Sequence, residues 1–285
     1  MGRIEKALEK ARQVRDQGGH AAPALQERRH ASPSSLVSAA PRQRREAAHP
    51  ARAEEMFAKA TVLAADPDVL VRNRIITNSQ NNPARPAYKM LRTRLLQRMR
   101  SNGWTSLAVT AAGPGEGKTI TAINLAISLA GEVNQRVFLV DLDLRRPNIS
   151  KYFGIEPQHT LSDYLRGDAT LDQILVSPGI DRLVIVPNDT VFENSSELLS
   201  SPKIVRMVDE LRVSDPSWIV IYDMPPLLAA DDTLAFSPSV DALLVVVAEG
   251  QTTQDEVSQV RELLKDANIV GTVLNKSQDA SSVYY

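Results

Sequence analysis

Eight consecutive residues, Ala112-Gly113-Pro114-Gly115-Glu116-Gly117-Lys118-Thr119, carry the strongest chemical signal in the chain. They follow an apolar run that reads as a strand and open a run that reads as a helix, the context a phosphate-binding loop requires. Glycines let backbone N–H groups turn inward around phosphate oxygens, and the following helix points its positive end at the same anion. Lys118 is of the type that reaches β- and γ-phosphates, and the Thr119 hydroxyl of the type that ligates Mg2+. The first glycine of the usual G-x-x-x-x-G-K-S/T pattern is Ala112 here. Two further segments supply carboxylates. Val137 to Arg145 is an apolar strand ending in Asp141, Asp143 and Arg145, and Trp218 to Pro226 is a second one that runs into Asp223. Open α/β sheets hold ligands at the carboxyl ends of their strands. Asp141 and Asp143 are two apart and share a face if the strand persists that far. Asp223 stands where a carboxylate holds Mg2+ directly or through water. Singly, each carboxylate is equally well read as a turn residue or a helix cap. Beside a phosphate cradle, the three read as metal and reaction machinery.

The elements that must position these residues alternate. Short β-rich runs at Ser106–Thr110, Arg136–Val140, Arg182–Val186, Trp218–Tyr222, Ala242–Val247 and Ile269–Leu274 are separated by helical candidates at Lys118–Ala130, Leu161–Leu165, Pro202–Leu211 and Thr253–Ala267. A further helix is expected over Ala87 to Met99. Near-continuous apolar strands between helices predict an α/β fold, a mostly parallel sheet with helices on both faces. The 285 residues are 43% hydrophobic and 24% charged, enough to bury a sizeable core. With no cysteine, the chain has no disulfide, thiolate metal site or cysteine nucleophile, which fits a reducing compartment. The longest strongly apolar run, Ala242 to Ala248, falls far short of the roughly 20 residues of a membrane span. Met1 to Arg15 is too charged for a signal peptide, and a soluble cytoplasmic protein is expected.

The net charge of −1 hides an asymmetry. Residues 1–53 hold 11 Lys/Arg against 5 Asp/Glu, and the remainder holds 22 against 29. Ile4, Ala7, Leu8, Ala11 and Val14 recur at helical spacing, so residues 1–18 are expected to form an amphipathic helix that docks on a partner, on its own domain or on an anionic membrane surface. Residues 19–53, basic and rich in Ala, Pro and Arg, read as a disordered linker. A lead-in segment over 54–85, a phosphate-binding domain over 86–279 and a tail over 280–285 complete the expected organisation.

These motifs resemble those of the bacterial protein-tyrosine autokinases of capsular and exopolysaccharide biosynthesis, a branch of the P-loop NTPases. Pro114-Gly115-Glu116-Gly117-Lys118-Thr119 is similar to their Walker A, Asp141-Leu142-Asp143-Leu144-Arg145-Arg146-Pro147 to their Walker A′, and Asp223-Met224-Pro225-Pro226 to their Walker B. The likeness extends to Asn194-Ser195-Ser196-Glu197-Leu198-Leu199 and Val273-Leu274-Asn275-Lys276 and covers about residues 75 to 285. Ile4 to Ala11 resembles the start of the soluble autokinases of exosortase loci. The resemblance implies phosphoryl transfer from ATP with Mg2+ to tyrosine. Lys118, Asp141, Asp143 and Arg145 would be catalytic, Asp141 taking the phenol proton. Thr119, Asp141, Asp143 and Asp223 would serve the metal. Pro114 to Thr119, Ile120 and Asn275 would bind the nucleotide. ATP is favoured over GTP, because Asn275-Lys276-Ser277 is followed by Gln278 where a guanine reader has Asp.

Two of the six tyrosines, Tyr284 and Tyr285, stand together at the Ser-rich end, an odd use of large aromatics. The resemblance marks them as autophosphorylation sites served in trans. It also implies a membrane polysaccharide co-polymerase, a chain-length determinant, as activator, a cognate tyrosine phosphatase, a homo-oligomer and a peripheral place at the inner face of the cell membrane. Pro86 and Lys89 depart from the family's Glu-x-x-Arg-x-x-Arg ring-forming helix, which leaves the subunit count open. The rival is a switch ATPase of the Min/Par type acting at membrane or DNA. That group has a lysine early in the loop, where Gly113 stands here. Nucleic acid is not expected as a partner: no aromatic residue precedes Phe57, so residues 1–53 offer no stacking platform.

Overall fold

The computed structural model describes residues 49–77 and 82–277, and all six expected apolar runs are strands of one sheet there. In chain order the strands are β1 (Thr61–Val62), β2 (Ser106–Ala111), β3 (Arg136–Asp141), β4 (Val176–Ser177), β5 (Leu183–Val186), β6 (Trp218–Asp223), β7 (Ala242–Ala248) and β8 (Ile269–Asn275). They lie in the order β1-β4-β5-β3-β6-β2-β7-β8. Neighbours are parallel except β4 and β5, which meet antiparallel at Val176 and Ile185. The helices are α1 (Pro50–Lys59), α2 (Pro67–Arg72), α3 (Arg85–Asn102), α4 (Lys118–Ala130), α5 (Ile149–Phe153), α6 (Leu161–Arg166), α7 (Ser195–Leu199), α8 (Pro202–Leu211), α9 (Asp232–Phe236) and α10 (Gln254–Leu263).

Side chains of a strand alternate between faces, and both faces of this sheet are apolar. Phe138, Val140, Trp218, Val220, Tyr222, Leu243 and Val245 pack on one side with Met56, Leu161, Met207, Leu211, Phe236 and Val260 from α1, α6, α8, α9 and α10. Val137, Leu139, Ile219, Ile221, Leu244 and Val246 pack on the other with Leu70, Leu95, Met99, Ile123, Ile127 and Phe153 from α2 to α5. Each such side chain, fully buried, contributes about 1.5–3 kcal/mol. Helices on both faces therefore follow from strands with no polar side.

The expected boundaries need correction at the N-terminal edge. Residues 50–53, assigned to the linker, are the first turn of α1. Pro50 opens that helix rather than breaking it, because the first helical position needs no N–H. The His49 ring accepts from the Ala51 amide at 3.3 Å, and Ala53 and Met56 are fully buried. Phe57 packs edge-on against Phe138 and Trp218, and Arg52 pairs with Asp172 at 2.7 Å. The folded body thus includes α1 and does not start at residue 86, and β1 extends its sheet through β4. The expected helix over residues 1–18, the linker up to residue 48 and the tail with Tyr284 and Tyr285 lie outside the described residues. No helix among the described residues is long and apolar enough to cross a membrane.

Candidate active site

The loop between β2 and α4 has its glycines where the backbone demands them. Gly115 and Gly117 are left-handed, at φ 78° and 92°. A Cβ on Gly117 would stand 2.1 Å from the Asn275 amide nitrogen, so no other residue fits there. Behind the loop, α4 is pinned by Ala122, Ile123, Leu125, Ala126 and Leu129, all fully buried, which fixes the aim of its N-terminus.

The outward carbonyls of the loop are held by side chains from the turn after β7 and the end of β8. Gln251 donates to the Pro114 carbonyl at 2.9 Å, Lys276 to that of Gly115 at 2.7 Å, and Asn275 to that of Glu116 at 2.8 Å. Lys276 also bonds the Gln251 side chain at 2.8 Å. With three successive carbonyls tied outside, the loop's amides are left to face inward. The Glu116 carboxylate, 2% exposed, turns into the fold, accepting from the Ala112 amide at 2.9 Å and from the Thr252 hydroxyl. Glu116 therefore braces the loop with its side chain and offers a phosphate only its backbone. Gln251 and Thr252 were not legible as site residues, since neither belongs to a motif. Only the pairing of β7 with β2 brings their turn to the loop.

The carboxylates converge because β3 and β6 are neighbours in a register that sets Asp141 opposite Asp223. Lys118 bridges the group, its ammonium 2.7 Å from Asp143, 3.3 Å from Asp223 and 3.0 Å from the Thr119 hydroxyl. Thr119 donates to Asp223 at 2.7 Å. One oxygen of Asp141 accepts from the amides of Asn148 and Ile149, each at 3.0 Å, and the other is buried without a partner. Asp143 accepts from the Arg146 amide at 2.9 Å. Burial, reinforced by the charge of Asp223, pushes the Asp141 carboxyl well above the ordinary carboxylate range, against the opposing pull of the Ile149 amide and Lys118. Burial raises Asp223 as well, opposed by Lys118 and the Thr119 hydroxyl. Burial would lower Lys118, but Asp223 and Asp143 outweigh it and hold the ammonium charged.

This donor set fits a hard divalent cation that shares its ligands with a phosphate. Asp143 and Asp223 flank one ammonium, the Thr119 hydroxyl stands ready, and an oxygen of Asp141 is orphaned. Among the described residues no cluster of three acidic or histidine side chains closes a metal site alone. Mg2+ keeps waters and takes only one or two carboxylates beside phosphate oxygens, a demand that Asp143 and Asp223 meet.

Arg145 does not join the Lys118 cluster through any hydrogen bond. Its guanidinium pairs instead with Asp232 at 3.0 Å, a fully buried carboxylate whose second oxygen has no partner. The Pro225 carbonyl, just past Asp223, receives the hydroxyls of Thr110 at 2.7 Å and Thr233 at 2.8 Å, which fixes the strand end that carries Asp223. Ile120 packs at the edge of the core beneath the loop, in van der Waals reach of Gly117.

Comparison with known proteins points the same way. A family model described as an AAA domain matches residues 105–277. The tyrosine-protein kinase CpsD of Streptococcus pneumoniae is 31% identical over 184 residues, which are 62% of this chain and 80% of that protein. The tyrosine-protein kinase etk of Escherichia coli is 32% identical over 210 residues, 72% of this chain and 28% of that protein. The chain spans about a quarter of the length of several curated relatives that it matches. Among solved structures, the kinase domain of the Escherichia coli tyrosine kinase ETK superposes with a TM-score of 0.63 at 29% identity, over 79% of this chain and 91% of that one. The cell-division ATPase MinD of Pyrococcus furiosus shares the fold at a TM-score of 0.51 and 22% identity, over 62% of this chain and 74% of that one.

Proposed function

The chain belongs to the bacterial tyrosine-protein kinases, a family of P-loop NTPases, and from that premise we propose that it is an ATP-dependent protein-tyrosine autokinase that phosphorylates its C-terminal tyrosines in trans and regulates polysaccharide polymerisation or export. The observation that carries the reading is the meeting of Lys118, Thr119, Asp143 and Asp223 beside the unpartnered oxygen of Asp141.

Phosphoryl transfer draws most of its catalysis from positioning and charge neutralisation. Lys118 exchanges its carboxylate partners for oxygens of the β- and γ-phosphates. Thr119, Asp143 and Asp223 would hold Mg2+, with Asp141 alongside, and the metal would supply neutralisation of the phosphate charge. Asp141 accepts the phenol proton at its free oxygen. A carboxyl raised by burial is a stronger base than an exposed one, which suits proton removal from a phenol. Arg145, let go by Asp232, stabilises charge on the transferred group. Asn275 spends its amide N–H on the loop, so its carbonyl oxygen is the atom left for the adenine amino group. The inward amides of residues 114–119 and the neighbouring Ile120 complete the nucleotide site.

Tyr284 and Tyr285 of one copy enter the site of another, and a tyrosine phosphatase reverses the modification. Each phosphate adds about −1.5 to −2 charge, which loosens contacts with acidic neighbours. The activator is a membrane polysaccharide co-polymerase, which places the kinase peripherally at the inner face of the cell membrane. Arg92 of the expected oligomerisation stretch is committed within the chain to Glu132 and to the Ser128 carbonyl, in keeping with an assembly other than the family's usual ring.

The test is phosphotyrosine formation with MgATP in wild type, Lys118→Met and a Tyr284→Phe/Tyr285→Phe variant, with and without the activator. Signal in wild type that both variants lose is the expected result. ATP hydrolysis without phosphotyrosine, even with the activator, would transfer the protein to the switch ATPases. Full phosphotyrosine in the double Phe variant would move the acceptor elsewhere.

A further inference from the structure

At the end of the strands opposite the phosphate loop, under the starts of β2, β6 and β7, lies a cavity of about 580 Å3. That size is in the range of small-molecule sites, roughly 300–1,000 Å3. Its walls are held rigidly. Helix α3 ends in a left-handed Gly103, with the Gly103 amide on the Arg100 carbonyl and the Trp104 amide on that of Met99. This paired closure fixes Trp104, which stands half-buried with its ring lining the cavity. The chain then enters β2 under the control of Asp241, whose Oδ2 accepts from the amides of Thr105 and Ser106 and from the Ser106 hydroxyl at 2.8–3.0 Å. On the far side, the turn carrying Pro216 is tied by its carbonyl to the Gln135 side chain at 3.0 Å, and by Asp215 to the Ser217 amide at 2.7 Å.

Two arginines, Arg100 and Arg212, line this frame, Arg212 already engaged within the fold. Arg100 is exposed and has no acidic partner within ion-pair distance among the described residues. It ends a helix that carries six cations and no acid, and the carboxylate on the cavity wall, Asp241, is engaged by Thr105 and Ser106. Trp104 and Pro216 give the wall apolar surface for a flat ring, and Arg100 gives it a cation for a phosphate. We propose that this cavity is a second ligand site, separate from the phosphate loop, for an aromatic ring that carries a phosphate.

Two sources have that chemistry, a phosphotyrosine side chain and a mononucleotide. The chain has two tryptophans, and Trp218 is buried beneath Phe57 and Phe138, so Trp104 is the one a stacked ligand can quench. The experiment follows tryptophan fluorescence of the whole protein as the Lys118→Met variant, in which the phosphate loop is impaired without adding a second aromatic phosphate. Phosphotyrosine, AMP, GMP and inorganic phosphate are titrated in turn. Expected is saturable quenching by phosphotyrosine or by a mononucleotide, the tighter arm naming the source. Arg100→Ala is expected to weaken it about tenfold or more, and Trp104→Phe to remove the signal. Absence of saturable quenching up to about 10 mM in both arms, indifference to Arg100→Ala, or equal competition by inorganic phosphate would each overturn the proposal. Because the readout is binding and not turnover, its failure leaves the kinase reading untouched, and the reverse holds as well.

Discussion

Asp141 sits at the end of β3 with one oxygen on the amides of Asn148 and Ile149 and the other on no partner. Its carboxyl is raised by burial and by Asp223, so the folded protein holds that proton more tightly than the unfolded chain does. The stability this group contributes is present in full below the ordinary carboxylate range and is lost as pH rises through the raised value. Asp141→Asn is therefore expected to stabilise the nucleotide-free protein near neutral pH, read as a raised Tm. It is also expected to cut phosphotyrosine formation at least about 100-fold. Calorimetry of both proteins from pH 5 to 8 checks the first point: the difference must widen with pH, and a constant offset would refute the assignment. Glu116 gives a contrasting case. Glu116→Ala strips the acceptor from the buried Ala112 amide, with an expected loss of about 1–3 kcal/mol and a weaker grip on nucleotide, measured by denaturation and by isothermal titration. The motif residues Lys118, Thr119, Asp141, Asp143 and Asp223 were legible because their types and spacing are dictated by phosphate chemistry. The inward turn of Glu116 and the capture of Arg145 by Asp232 were not, because side-chain direction depends on neighbours more than 80 residues away.

At the scale of elements, the long periodic segments could be read from the sequence and the short ones could not. Helices α4 and α8 fall on their expected bounds, since an apolar stripe of three turns leaves little choice. The five-residue helices α5, α7 and α9, and the two-residue strands β1 and β4, are too brief to show a period. Helix α1 escaped for a different reason. Its composition is polar, and its start is a proline next to a proline-rich stretch. Its stability comes from a few contacts with distant residues, above all Phe57 in the cluster with Phe138 and Trp218, where the Arg136 guanidinium also lies 5.3 Å from the indole. Phe57→Ala is expected to cost about 2 kcal/mol, less than a fully buried Phe because its ring is only partly covered. Phosphotyrosine formation at low temperature should survive. A urea midpoint unchanged within error would mean that α1 does not hold to the sheet through that ring. The loop's outer ties make a second test. Lys276→Ala removes the donor to the Gly115 carbonyl and to Gln251, and nucleotide affinity should fall about tenfold while Tm shifts by less than about 2 °C. A large Tm loss with affinity intact would reverse the roles.

Over the described fold, the sheet separates two chemistries at the two ends of its strands, carboxylates and a phosphate loop at the carboxyl ends of β2, β3 and β6, and arginines with Trp104 at the starts of β2, β6 and β7. The strand order that makes this possible has a consequence in time. β2, which leads into the phosphate loop, has no neighbour close in sequence: Ser106 pairs with Val220, and Leu107 with Ala242. Such distant pairings are slow to form, because the chain between them must be closed before any contact rewards it. During synthesis, at about 5–20 residues per second, β2 has to wait for β6 and β7, and the loop's outer ties wait longer still, for Asn275 and Lys276. A ribosome that stalls or a message that is cut short before that point releases a chain with every motif of the phosphate loop and no cradle. Competence to bind nucleotide is thus expected only once the chain has been translated through Lys276.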